Sequence, residues 1–154
     1  MKRRLLIPAL LAAPWAARAH HGWSSFDQDR PIYLEGRADR VAWRNPHAEL
    51  DLLIDAGMAL PADLASRAVP PQSAPVDGPG LLKAARLPSR GDRRWRVELA
   101  PLSRLQAWAV PTVRDGDRLA LLGFTFAGEK GDAVLRAEYL FLGGKVYGLR
   151  SSPV

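Results

Sequence analysis

Cysteine is absent from this chain of 154 residues, and so is any apolar run long enough to span a membrane. Without cysteine there is no disulfide, no thiolate metal ligand and no cysteine nucleophile, so stability depends on a hydrophobic core. The longest apolar run, Leu5 to Ala13, is about half of the roughly 20 residues that a transmembrane helix needs. The sequence therefore predicts that no transmembrane anchor remains in the mature protein.

Sequence motifs of the common catalytic sites are missing as well. The chain has no G-x-S-x-G, no phosphate-binding loop and no H-E-x-x-H. Ser24 and Ser25 follow His21 closely, but adjacency in sequence is not a catalytic geometry. The sequence predicts a protein that is not an enzyme, with no catalytic residue.

The first residues have the three parts of a cleavable signal peptide. Lys2, Arg3 and Arg4 precede the apolar run, and Ala17-Arg18-Ala19 matches the small-x-small pattern of the cleavage site. We therefore expect residues 1–19 to be a signal peptide and the mature chain to begin at His20. The mature protein is predicted to be periplasmic or secreted.

The positive charge largely belongs to this leader. The whole chain has 22 Lys and Arg against 16 Asp and Glu, a formal charge of +6. Four of these basic residues leave with residues 1–19, so 18 remain against 16 and the charge falls to +2. A charge this small argues against nucleic acid as a partner. We interpret the local arginine cluster between Arg86 and Arg96 as a solvated face.

Hydrophobic periodicity predicts short strands and one helix. Apolar residues alternate with polar ones in several segments, and Leu102 to Ala109 has helical spacing after Pro101. The order strand, strand, strand, helix, strand, strand is typical of the OB-fold. We predict an all-β, OB-like small antiparallel barrel with one short helix, and an open β-sandwich as the alternative. The predicted strands are 31–43, 47–54, 93–99, 118–126 and 134–142, followed after Gly143-Gly144 by 146–149.

A proline-rich insert at about 55–90 interrupts this pattern. It contains six prolines among Ala, Gly and Ser and has little periodicity. Proline removes backbone donors, so no central strand can pass through it. Long loops inside domains are either functional or disordered, and we expect this one to be disordered or loosely packed. Residues 20–154 are otherwise predicted to form a single domain.

The start of the mature chain resembles a small secreted bacterial family catalogued as domain of unknown function 6152. Members begin with a His-His pair, an aromatic residue and Phe-Asp, and continue with a strand containing Gly, then Trp and Asn-Pro-His. The resemblance implies an exported OB-like barrel and no established activity. The matching residues here are His20, His21, Trp23, Phe26, Asp27, Gly36, Trp43, Asn45, Pro46 and His47.

The three histidines, His20, His21 and His47, are the candidate metal ligands. Cleavage after Ala19 would give His20 a free α-amine beside its imidazole, and His47 could supply a second imidazole from the Asn45-Pro46 turn. Nitrogen ligands in a planar arrangement suit Cu(II), which also leads the divalent affinity order. Copper is therefore the possible cofactor, and a frayed tail with a structural His47 is the alternative interpretation.

The second functional hypothesis is a metal-free binding or scaffold module with an aromatic ligand face, whose partner is an unidentified cell-envelope protein or small ligand. The candidate ligand-binding residues are Trp23, Trp43 and Asn45, at the end where the N-terminus meets the turn. Most other aromatic residues are expected in the core, with Trp23 and Tyr147 exposed.

Overall fold

The computed structural model describes residues 22–154, and its strands coincide with the alternating segments of the sequence. The predicted signal peptide, His20 and His21 lie outside the described residues. The strands are β1 (Ile32–Ala42), β2 (Glu49–Ile54), β3 (Arg94–Glu98), β4 (Arg118–Phe124), β5 (Val134–Leu142) and β6 (Lys145–Gly148). The helices are α1 (Gly78–Ala84) and α2 (Leu102–Ala107), with 3-10 turns at Trp23–Ser25, Leu64–Ser66 and Ala127–Glu129.

Five of these strands close into a barrel. The sheet order is β3-β2-β1-β4-β5-β6, and neighbouring strands in it are antiparallel. The two ends meet through a parallel pairing of β3 with β5, in which Glu98 lies opposite Arg136. This confirms the OB-like barrel and excludes the open sandwich, although the closing pair is parallel rather than antiparallel.

The interior of the barrel is apolar. Alternate side chains of every strand point inward, as the period of a pleated strand requires. Trp95 is the largest side chain of this core and is 0% exposed. Tyr147 is also buried, at 6% exposed, so the expectation that it is exposed was wrong. It packs with Leu140 and Leu149 because β6 turns its alternate side chains toward the main core.

Both helices are short. The predicted helix after β3 is present as α2, which starts after Pro101 and buries Leu105 in the main core. The other helix, α1, has 7 residues and belongs to the insert. Within residues 22–154, no helix combines the length and the apolar character that crossing a membrane requires.

The insert is folded, so the expectation of a disordered or loosely packed segment was wrong. Leu64 and Leu82 are 3% and 2% exposed and pack on the outer face of β1, β4 and β5, around Tyr33 and Tyr139. A bridge between Ile32 and Arg86 also joins its end to β1. The physical reason is a second core: the outer face of these strands is itself apolar, and the insert covers it.

The first prediction tests whether the insert unfolds together with the barrel. The Asp77 carboxylate accepts a hydrogen bond of 2.9 Å from the Gly80 amide and caps α1. We expect Asp77→Ala to lower the free energy of unfolding by about 1 kcal/mol, the usual cost of losing such a cap. Urea unfolding followed by circular dichroism measures this change. Asp29→Ala, at an exposed site outside the insert, serves as the control, and an unchanged Asp77→Ala midpoint would show that the insert unfolds separately.

Candidate functional site

The first described residues pack against the outer face of β4. The Trp23 ring meets Phe124 edge-on with 6.3 Å between centroids, and Phe26 stacks on Phe126 at 5.1 Å. The Asp27 amide donates a hydrogen bond of 2.8 Å to the Thr125 carbonyl. The chain that follows the predicted cleavage site is therefore held against the barrel from Trp23 onward.

Two arginines lie against the Trp23 ring. The Arg136 guanidinium is 5.4 Å from the centroid of Trp23 and 5.6 Å from that of Phe26. Arg150 approaches the Trp23 ring more closely, at 4.1 Å. Guanidinium groups at such distances are attracted by the electrons of the ring face. We refer to Trp23, Phe26, Phe124, Arg136 and Arg150 as the arginine–aromatic cluster.

Each arginine of this cluster also forms an ion pair with a carboxylate of the barrel. Arg136 pairs with Glu98 at 2.7 Å, and both side chains are less than one-tenth exposed. Arg150 pairs with Glu138 at 2.7 Å, and Glu138 also accepts a hydrogen bond of 2.9 Å from Gln72 of the insert. The cluster thus connects the N-terminal segment, the barrel and the insert through ion pairs whose carboxylates are buried.

His47 lies in the turn between β1 and β2. The turn contains the cis peptide bond Asn45-Pro46, and Ala48 then pairs with the backbone of Ala100. The His47 side chain is half-buried, with its Nδ1 atom shielded from solvent. The turn therefore places a half-buried imidazole next to the start of β2.

The His47 turn and the N-terminal segment share one face of the barrel. In the strand registers, Glu49 lies opposite Glu98, and Glu98 lies opposite Arg136. Leu50 and Val97 point into the core, so their neighbours Glu49 and Glu98 point outward, and His47, two residues before Glu49, lies on the same side. A row of side chains thus crosses three strands from the His47 turn to the arginine–aromatic cluster.

The remaining predicted ligand-binding residues occupy different surroundings. Trp43 follows the end of β1 and is partly buried against the main core, whereas Asn45 is exposed in the turn. Trp23 belongs to the arginine–aromatic cluster, on the face that carries His47. In the part of the chain from residue 22 onward, no group of three or more His, Asp or Glu side chains is arranged to hold a metal ion.

The arginine-rich segment around the start of β3 is compensated by carboxylates. Arg94 pairs with Asp39 and Asp51, and its hydrogen bond lowers the pKa of the Asp39 carboxyl below the usual value. Arg90 forms the equivalent pair with Asp92 and lowers the pKa of that carboxyl in the same way. Arg93 and Arg94 are exposed, which agrees with the interpretation of a solvated face, and Arg94 is also paired within the protein.

Sequence reasoning missed Glu98, Glu138, Arg136 and Arg150 as members of this site. The alternation in β3 places Glu98 on the face opposite Trp95 and Val97, so the sequence predicts that Glu98 points outward. The sequence does not predict its pairing with Arg136, because this pair depends on the parallel register that closes the barrel. Glu35 lies elsewhere, where it accepts a hydrogen bond from Tyr33.

Comparison with known proteins supports the resemblance. A family model described as a family of unknown function (DUF6152) matches residues 9–59, about a third of the chain. The matched stretch includes the N-terminal segment, β1, the His47 turn and β2. No curated protein and no solved structure matches the chain. The chain therefore resembles this family over the part that contains all three histidines.

Proposed function

We propose that the exported, processed protein binds Cu(II) in the periplasm or outside the cell through the α-amine and imidazole of His20 and the imidazole of His47. His21 is a further imidazole next to these ligands. The observation that carries the proposal is the shared face: the chain segment following His21 and the His47 turn lie at the two ends of one row of side chains.

The dimensions support this ligand set. Adjacent strands are about 4.8 Å apart, so the row from Arg136 through Glu98 to Glu49 spans about two strand spacings, or about 10 Å. His20 precedes Trp23 by three residues, and three residues of extended chain reach about 10 Å. The three residues before Trp23 are therefore long enough to reach the level of Glu49, the first residue of β2 after the His47 turn, while Trp23 stays in the arginine–aromatic cluster.

The chemistry of the surroundings supports a cation. Glu49, whose neighbour Leu50 points into the core, points outward next to the His47 turn, whereas the carboxylate of Glu98 is paired with Arg136. Carboxylates beside metal-bound imidazoles orient the rings and strengthen their donation to the metal. Binding would also release a proton from the α-amine, whose ordinary pKa is near 8, so affinity should rise with pH in this range.

The alternative, a metal-free module with an aromatic ligand face, has less support. Trp95, Tyr33 and Tyr139 are almost fully buried, and two arginines lie against the Trp23 ring. Few aromatic faces remain for stacking against a ligand from solution. The alternative predicts no specific Cu(II) binding, so one experiment separates the two hypotheses.

The second prediction concerns copper affinity. We expect protein starting at His20 to bind one Cu(II) with sub-micromolar affinity in calorimetry, with nitrogen ligands in its electron paramagnetic resonance spectrum. His47→Ala and a form with one additional Met before His20 should each bind at least about tenfold more weakly, because each loses a nitrogen ligand. Glu35→Gln, on a different part of the surface, is the matched control and should bind normally.

Two outcomes would contradict this proposal. Unchanged affinity in His47→Ala would show that the His47 imidazole is not a ligand. Unchanged affinity in the Met-extended form would show that the α-amine is not a ligand. Mass spectrometry of the protein recovered after export tests the premise directly, because the ligand set requires His20 as the first residue.

A further inference from the structure

A second candidate site is a cavity of about 400 Å³, whose lining includes neither the His47 turn nor the arginine–aromatic cluster. The cavity lies between the insert, β1, β4 and the β5–β6 hairpin. Its size falls within the range of small-molecule sites, about 300–1,000 Å³. The walls combine charged and apolar side chains, and those that carry the argument are Tyr33, Glu35, Arg67, Arg118, Phe141 and Lys145.

The insert contributes a fixed guanidinium to this cavity. Arg67 donates two hydrogen bonds to the Asp63 carboxylate, at 2.9 and 3.0 Å, and lies 5.5 Å above the centroid of the Phe141 ring. A guanidinium has five N–H donors, so further donors remain on a side chain that is 30% exposed. Arg67 is thus held in position by Asp63 and Phe141 while it lines the cavity.

The one carboxylate in the cavity wall is already compensated. Glu35 accepts hydrogen bonds from the Tyr33 hydroxyl at 2.9 Å and from Arg118 at 3.0 Å. Burial and the contact with Glu35 raise the pKa of Tyr33 far above its usual value, so the phenol stays protonated and donates. The negative charge of Glu35 is therefore compensated by residues of the cavity wall.

Cations exceed carboxylates among the lining residues. Arg67, Arg118 and Lys145 line the cavity together with the single carboxylate of Glu35. Arg67 is paired with Asp63, and Arg118 with Glu35 and Asp55, so Lys145 is the lining cation whose charge is not compensated by a carboxylate of the described residues. Lys145 is exposed at the start of β6, and it forms no ion pair within the described part of the chain. Beside these charges, Phe141 and Val146 provide an apolar wall. The cavity thus combines a cationic rim with an apolar surface.

We propose that this cavity binds a small amphipathic carboxylate, with the carboxylate at Arg67 and Lys145 and the hydrocarbon part against Phe141 and Val146. The planar guanidinium matches a carboxylate through two parallel hydrogen bonds. A singly charged head group suits this wall better than a doubly charged one, because Glu35 remains close by. The site is independent of the histidines and of copper.

Octanoate is the probe for the test, added to the full mature protein and followed by amide chemical shifts in NMR. We expect saturable binding, with the largest shifts at Gly143 and Gly144, which belong to the cavity wall. Lys145→Glu and Arg67→Met should each weaken binding by about tenfold, the loss of one charge-assisted contact. Lys83→Glu changes an exposed lysine of α1 that does not line the cavity, and it should leave binding unchanged.

The controls separate a charge-specific site from simple apolar adsorption. Octylammonium has the same number of carbon atoms and the opposite charge, and acetate has the same head group without the long chain. Both should bind much more weakly than octanoate. Equal binding of octylammonium, or full affinity in Lys145→Glu, would overturn the proposal, and Lys145 is exposed enough that its variant should fold normally.

Discussion

Glu138→Ala is expected to lower the free energy of unfolding by about 3–5 kcal/mol, the cost typical of removing one partner from a buried ion pair. Glu138 is 0% exposed and is held by Arg150 and by Gln72. Its removal leaves the Arg150 guanidinium without its carboxylate while Trp23 and Phe124 still cover it. The loss exceeds the value of the pair itself, because the Arg150 guanidinium is only 23% exposed and keeps Gln28 as its remaining side-chain acceptor.

Urea unfolding at neutral pH measures this loss, and Asp39→Ala provides the matched control. Asp39 also pairs with an arginine, Arg94, but both side chains are about one-third or more exposed. Solvent screens such a pair, so we expect a much smaller change for this variant. Equal losses in Glu138→Ala and Asp39→Ala would contradict the claim that burial makes the Glu138 pair important.

Glu138→Ala should also affect the N-terminal segment. Arg150 lies between Glu138 and the Trp23 ring, so a displaced guanidinium would weaken the packing that holds residues 22–26 against the barrel. If the copper proposal is correct, the same variant should bind Cu(II) more weakly than its loss of stability explains, when measured at low temperature where the protein remains folded.

The barrel was predictable because its strands have local signals. In β3, Trp95 and Val97 alternate with charged residues, and Gly143-Gly144 marks the hairpin between β5 and β6. Each of these signals lies within a few residues of sequence, because strand alternation has a period of two and a tight turn depends on the two residues at its centre. The helix before Pro111 was visible for the same reason.

The insert was harder because its order comes from distant contacts. Leu82 is buried against Tyr33 and Tyr139, which belong to strands far away in sequence. The local signals for α1 were nevertheless present, since Asp77 precedes Pro79 in the pattern of a capped helix start. Pro79 was counted among the prolines that exclude a central strand and was not considered as the first turn of a helix, a position that proline tolerates.

The candidate site also combines a feature that has a local sequence signal with one that depends on distant contacts. The cis Asn45-Pro46 turn, which carries His47, follows a local motif and lies where the sequence indicates. The buried pair of Glu98 and Arg136 depends on two strands that meet only when the barrel closes. Charge pairs across a closing seam have no local signature, so the sequence suggested that the N-terminal segment lies near the His47 turn but did not show which side chains connect them.

Gly36→Ala is expected to cost about 3 kcal/mol or more, near the upper end for overpacking. Gly36 lies in β1 opposite Ile54, and an added Cβ would lie 2.0 Å from the Leu53 carbonyl oxygen. That oxygen belongs to the backbone of β2, so no side-chain rotation can relieve the contact. The two strands must separate locally, at the expense of their pairing.

Gly91→Ala is the matched control, because an added Cβ there meets no atom within 4 Å. This variant should be neutral or slightly more stable, since alanine restricts the unfolded chain. Thermal unfolding of both variants measures the difference, and a Gly36→Ala protein as stable as Gly91→Ala would contradict the close approach of the two strands. Because β1 and β2 flank the His47 turn, strand separation at Gly36 should also weaken the proposed copper binding, whereas Gly91→Ala should preserve it.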